Sequence, residues 1–181
     1  MLDPAFIFTL ISFYFVMYAS PGPNNAMILS SGIQFGFFKT LPHMAGITIG
    51  HVVQLVLVCL GLGNIFAVFP EIQFILKILC AIYLCFLGYK LLGSLNIIHT
   101  VTSRPLKFYE ASLFQFINPK AWSIAVTVAS GFFPTEENIF IGVAFVTITA
   151  AVICFPTISL WALFGSGLRK FVTNIKIKKI I

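Results

Sequence analysis

Apolar residues run along this chain in blocks of membrane-spanning length, separated by short polar connections. An α-helix rises 1.5 Å per residue, so about 20 apolar residues cross a hydrocarbon core roughly 30 Å thick. Five blocks meet that length, at about 5–34, 41–63, 72–92, 111–133 and 139–164. The pattern predicts an all-α integral membrane protein with about five transmembrane helices, residues 1–181 forming a single membrane domain. The first block is too long for one straight crossing and is interrupted at Pro21, Gly22 and Pro23. The longest connection, 93–110, carries Arg104, Pro105 and Lys107, and no linker or low-complexity tract sets off a second domain.

Composition agrees with lipid as the solvent. Of 181 residues 59% are hydrophobic and 9% charged, against about 25% charged in a soluble domain, and a chain this short cannot hide so much apolar surface in one core. The net charge of +6 would suggest nucleic acid in a soluble protein. Here the cations flank the apolar blocks, so the expected partner is the lipid bilayer and not nucleic acid. Lys39, then Lys90, Arg104 and Lys107, then Arg169, Lys170, Lys176, Lys178 and Lys179 fall on one side; Glu71, Glu136 and Glu137 fall on the other, where Lys77 is the only nearby cation. The positive-inside rule then places the N-terminus outside and the C-terminal tail in the cytoplasm. Asp3 is the only early charge, so the first segment lacks a cationic signal-peptide region and reads as a retained helix. The basic tail, 176–181, has two readings: a lipid-attracted end to a five-helix protein, or the point where a sixth helix has been lost. Cys59, Cys80, Cys85 and Cys154 lie in apolar runs without CxxC spacing and read as small packing residues, not metal ligands.

Two places break the helical pattern at comparable depth: Ser20-Pro21-Gly22-Pro23-Asn24-Asn25 in the first block and Asn118-Pro119-Lys120 in the fourth. Proline removes a backbone donor and clashes with the preceding turn. Exposed backbone at membrane depth is tolerated only where protein buries it or it lines a wet cavity. Asn118 suits an N-cap with Pro119 at the first helical position, and Pro23 suits a first position too. Each break would thus present a half-helix N-terminus, able to attract an anion. The breaks lie three crossings apart and so run in opposite directions, as in an inverted 3+3 repeat. Repeat one would span about 5–92, and an incomplete repeat two about 108–181. The expected site holds a substrate carboxylate between the N-termini near Pro23 and Pro119, with Lys120 as charge partner. Ser20, Asn24, Asn25 and Asn118 would face the rest of the substrate. Against this stand simple structural kinks and a Lys120 that reaches the cytoplasmic vestibule along a tilted helix. Gly46 and Gly50 form a GxxxG packing patch. His51 and Gln54 follow, and His43 lies nearer the interface. An ionisable residue in a membrane is a functional candidate, so His51 is read either as a carrier of the coupling ion or as an interhelical hydrogen-bonding group.

These residues resemble the LysE/RhtB family of bacterial amino-acid exporters over about 5–170. The match rests on Ser20 to Asn25 (SPGPNN), Ala45-Gly46 through Gly50, Leu60-Gly61-Leu62, Ala81 to Leu84, Leu87 to Leu92, and Phe116 to Trp122 (FINPKAW). The string LFQFINPK is most similar to members exporting cysteine and O-acetylserine. The resemblance implies a secondary transporter in the bacterial inner membrane, exporting amino acids or small derivatives, coupled to protons. Its two proline motifs carry over to Pro21, Gly22, Pro23 and Asn24, and to Asn118, Pro119 and Lys120. Many relatives have an acidic residue where this chain has His51, and relatives continue into a sixth helix. A metal-cation exporter is the alternative, on the thin support of His43, His51, Asn24 and Asn118; a truncated, non-transporting remnant or partner subunit is another. Homo-oligomerisation stays open. No nucleophile–base pair, P-loop or dinucleotide fingerprint occurs, so neither an enzyme nor a bound cofactor is expected.

Overall fold

Proline and glycine set the helix boundaries in the computed structural model, which describes residues 3–62, 104–133 and 138–172 and the isolated positions 69, 71, 75, 78, 82 and 85. The continuous described stretches form six α-helices: α1 (Pro4–Ala19), α2 (Pro23–Phe35), α3 (Phe37–Leu57), α4 (Phe108–Phe114), α5 (Pro119–Gly131) and α6 (Ile139–Val172). Asp3 caps α1, its side chain accepting from the Ala5 N–H at 3.1 Å, with Pro4 in the first turn. The helix stops at Ser20, which is extended at ψ 142°, as expected of a residue before proline. It restarts at Pro23 after a 56° bend. Gly36, at φ 84°, makes the one-residue turn into α3, a conformation that costs glycine little. At its far end α3 passes into a π-helical turn, Val58–Leu62.

Among the described residues two segments, Phe37–Gly61 and Ile139–Arg169, are long and apolar enough to cross a membrane, and α1 with α2 makes a third if the bent pair is one span. The expected second span began at 41, but the helix already starts at Phe37, because Gly36 is where the chain turns and Pro42 is accommodated inside the helix. The expected fourth span is two shorter helices, α4 and α5, parted at Gln115–Asn118. The fifth continues past 164 to Val172. The expected third span, 72–92, lies outside the described residues apart from isolated positions, as does the tail beyond 172.

An apolar core that includes Leu10, Ile28, Met44, Ile47 and Ile158 also encloses polar side chains, while many large apolar ones lie outside. Thr40, His51, Gln54, Gln115 and Asn118 are buried, whereas Phe8, Phe15 and Val16 on α1 and Ile141, Ile148 and Val152 on α6 are exposed. Water would penalise that arrangement and lipid favours it. Glycines let the helices approach closely. A Cβ on Gly50 would lie 2.6 Å from the Ser112 Cα, and one on Gly46 would strike the Phe108 carbonyl, so the GxxxG patch receives α4. Ser112 Oγ donates to the Gly46 carbonyl at 2.9 Å across that contact. Gly32 and Gly165 do the same where α2 meets α6. The rings of Phe13 and Phe132 stack at 5.1 Å, while Lys120 at the other end of α5 reaches Ser20. So α5 runs antiparallel to α1. Outside the spans, Arg104 makes two 2.7 Å bonds to Glu110. That guanidinium, helped by the Lys107 N–H, holds the carboxyl down from 4.5 to about 2.

Candidate functional site

Both helix breaks are built by local chemistry. At the first, Ser20 donates its N–H to the Val16 carbonyl at 2.9 Å and its hydroxyl to Met17 O at 3.0 Å. Asn25 turns back and donates from Nδ2 to the Tyr18 and Ser20 carbonyls at 2.9 and 2.8 Å, closing the C-terminus of α1. Gly22 precedes α2 in a fully extended conformation and gives it no side-chain cap. At the second break, Asn118 caps α5: its Oδ1 accepts the Lys120 N–H at 3.1 Å, with Pro119 in the first turn. Trp122 donates from Nε1 to the Phe116 carbonyl at 2.8 Å, so even the irregular backbone of this segment finds a partner.

The fold brings the two breaks together although about a hundred residues separate them. Lys120 Nζ donates to Ser20 O at 2.6 Å and Ser20 Oγ at 2.9 Å, and lies 3.4 Å from Pro21 O. These oxygens lie at and just beyond the C-cap of α1, where the helix dipole favours a cation, and the Ser20 carbonyl is shared with Asn25 Nδ2. The lysine arm lies over Gly22, where a Cβ would sit 2.8 Å from Lys120 Cδ. Beside it Asn24 and Gln115 exchange amide hydrogen bonds, Nδ2 to Oε1 at 2.9 Å and Nε2 to Oδ1 at 3.3 Å. Gln54 Nε2 reaches the Gln115 carbonyl at 3.0 Å, and Gln54 Oε1 meets His51 Nδ1 at 3.1 Å. A continuous polar chain therefore runs from His51 on α3 to Asn24 on α2.

A cavity lies among these groups, lined by Gly22, Asn24, Asn118 and Lys120 from the breaks and by Tyr18, His51 and Cys154 from the surrounding helices. Its space, about 20 Å³, takes one or two waters. Lys120 is held here by carbonyl and hydroxyl oxygens alone, with no ion pair among the described residues. Such a site offers a cation, amide donors and acceptors, and walls of low polarity to a small zwitterion.

Of the residues singled out from sequence, Gly22, Asn24, Asn25, His51, Asn118 and Lys120 all line this cavity. Ser20 and Pro21 hold the lysine, and Pro23 and Pro119 begin the two restarted helices. Ser20 thus faces Lys120 itself. His43 is buried, and neither ring nitrogen has a partner among the described residues. Tyr18 and Gln115 went unrecognised as site residues. The signal for Gln115 was an amide in an apolar run three residues before the cap; Tyr18, two residues before Ser20, looked like one more apolar aromatic. Among the described residues no group of three His, Cys, Asp or Glu side chains is placed to hold a metal ion.

Comparison with known proteins points to one family. The chain is 27% identical over 165 residues to the cysteine/O-acetylserine efflux proteins of Escherichia coli (strain K12) and Shigella sonnei (strain Ss046), covering 91% of this chain and 84% of each relative. No solved structure gives a significant match. The description "LysE type translocator" fits residues 15–181, a stretch that takes in both breaks, the cavity between them and the helices around it. On that match the chain belongs to the LysE type translocator family.

Proposed function

We propose that this protein exports small neutral amino acids or their derivatives from the cytoplasm across a bacterial inner membrane, in exchange for protons. The observation that carries the reading is the Lys120 ammonium, held between two antiparallel broken helices by the oxygens of Ser20 and Pro21. A substrate carboxylate entering from the cytoplasm would take the place of those oxygens. Charge-assisted hydrogen bonds are roughly twice as strong as neutral ones, so the exchange favours substrate once the helices part. The helix N-termini at Pro23 and Pro119 contribute too, but at 0.3–1 kcal/mol each, and up to about 2 when partly buried, they fall short. Desolvating a carboxylate costs several kcal/mol, and a cation has to supply the difference. The named activity of the efflux relatives supports a small amino-acid substrate.

His51 is the proposed proton carrier, since its Nδ1 is engaged by Gln54 while its ring lines the cavity. The proposed topology keeps the N-terminus outside and the tail inside, with five crossings and the α1–α2 and α4–α5 elements as inverted counterparts. Support for the inversion comes from the antiparallel course of α1 and α5 and from the crossing between the two breaks. Efflux from proteoliposomes loaded in parallel with labelled serine, labelled cysteine and divalent metal ions tests the function. Export of the amino acids without the metals is expected; metal flux alone would return the site to the cation-exporter reading.

A further inference from the structure

One part of the cavity is left unsatisfied by the protein itself. The Tyr18 hydroxyl and His51 Nε2 are buried without a hydrogen-bond partner among the described residues, at residues 7% and 3% exposed. Both residues line the cavity, and their rings meet edge to face at 5.6 Å. A buried polar atom without a partner costs about 1–3 kcal/mol, and one that persists in a fold calls for a bound water or a ligand atom. The neighbouring Tyr14, stacked on Tyr18 at 5.5 Å, shows that the fold can satisfy such a hydroxyl: it donates to the Val146 carbonyl at 3.0 Å.

We infer that Tyr18 and His51 form the subsite for the substrate's side chain, and that it selects side chains ending in a hydrogen-bonding atom. The inference rests on the amino-acid reading of the cavity and extends it to specificity. The network fixes the character of each group. Gln54 Nε2 is committed to the Gln115 carbonyl, which only accepts, so the Gln54 atom facing His51 is the oxygen. His51 Nδ1 therefore carries the hydrogen, and Nε2 of the neutral ring presents a lone pair. Tyr18 can donate or accept. A hydroxyl or thiol would donate to His51 and accept from Tyr18, satisfying both at once. Ile47 and Ile158, which also line the cavity, offer a methyl group nothing in return for leaving those atoms bare. Sites built to hydrogen-bond a substrate group discriminate strongly against analogues that lack it.

Paired efflux assays in proteoliposomes test this, with serine against alanine and cysteine against 2-aminobutyrate. The wild-type protein should prefer the polar member of each pair by about tenfold in kcat/KM. In Tyr18→Phe, which removes one oxygen and keeps the ring, the ratio should fall to about twofold or less. Equal handling of both members by the wild type would overturn the proposal, and so would an unchanged ratio in the variant. If Tyr18→Phe does not fold, the wild-type ratios alone decide. Flux of neither member would remove the export reading, and the subsite with it; flux of both without preference removes only the subsite.

Discussion

A lysine at the centre of bare lipid would cost roughly 2.5–3.5 kcal/mol on insertion scales, and Lys120 is instead met by three oxygens of Ser20 and Pro21. Its arm depends on Gly22. The backbone there is extended, at φ −175°, which any residue adopts, so the requirement is one of space. A Cβ at 2.8 Å from Lys120 Cδ and 3.1 Å from Nζ must push the lysine aside. Gly22→Ala should therefore raise the KM for efflux several-fold while the protein inserts at normal abundance; an unchanged KM would show that the lysine has room to spare. His51 gives the second expectation at this scale. Among the described residues no carboxylate lines the cavity, which leaves the His51 imidazole, with a free ring nitrogen, as the proposed proton carrier. His51→Gln should abolish efflux driven by a pH gradient while substrate exchange persists, and pH-driven efflux at the parental rate would return His51 to a bridging role between α3 and its neighbours.

Each broken element is a pair of half-helices locked to a neighbour at backbone distance. The α3–α4 contact can be tested at Gly50, where Ser112 Cα and O would lie 2.6 and 2.7 Å from an added Cβ. Backbone atoms cannot rotate away. Overpacking of this kind typically costs 1–3 kcal/mol, so Gly50→Ala should lower the thermal midpoint in detergent, followed by tryptophan fluorescence. Gly167→Ala, with nothing within 4 Å of its Cβ, should leave the midpoint level or raise it, since alanine is the better helix former. Equal midpoints for the two variants would mean that α3 and α4 are not in backbone contact. The breaks at Pro21–Pro23 and Asn118–Pro119 were legible in the sequence because proline and capping chemistry act within a few residues. Gly46 and Gly50 were legible as a packing patch, though not the helix they would receive. The Asn24–Gln115 pair and the paired glycines at 32 and 165 were not legible. Each joins residues about a hundred positions or more apart, and one sequence carries no sign of which distant amide or glycine will be the partner. The start of α3 at Phe37 was hidden for a different reason: Lys39 marks a polar connection by composition, yet the positive φ at Gly36 is what turns the chain.

Among the described residues an apolar core encloses a small set of buried polar groups, and the two broken elements cross where those polar groups gather. That arrangement gives a proposed direction as well as a site. With native cysteines replaced, a cysteine at position 104 should be labelled only from the cytoplasm and one at position 71 from outside; labelling of position 104 from outside would reverse the orientation and the direction of transport with it. The claim on which the rest depends is that the crossing binds a carboxylate through Lys120. Efflux of serine against serinamide, in the wild type and in Lys120→Met at equal abundance, tests it most directly. The two substrates differ only at the carboxyl group, so their ratio reads that contact and not general folding. The wild-type protein should prefer serine by tenfold or more, about 1.4 kcal/mol, and Lys120→Met should handle the two nearly alike; a preference for serine that survived the loss of the lysine would contradict the account.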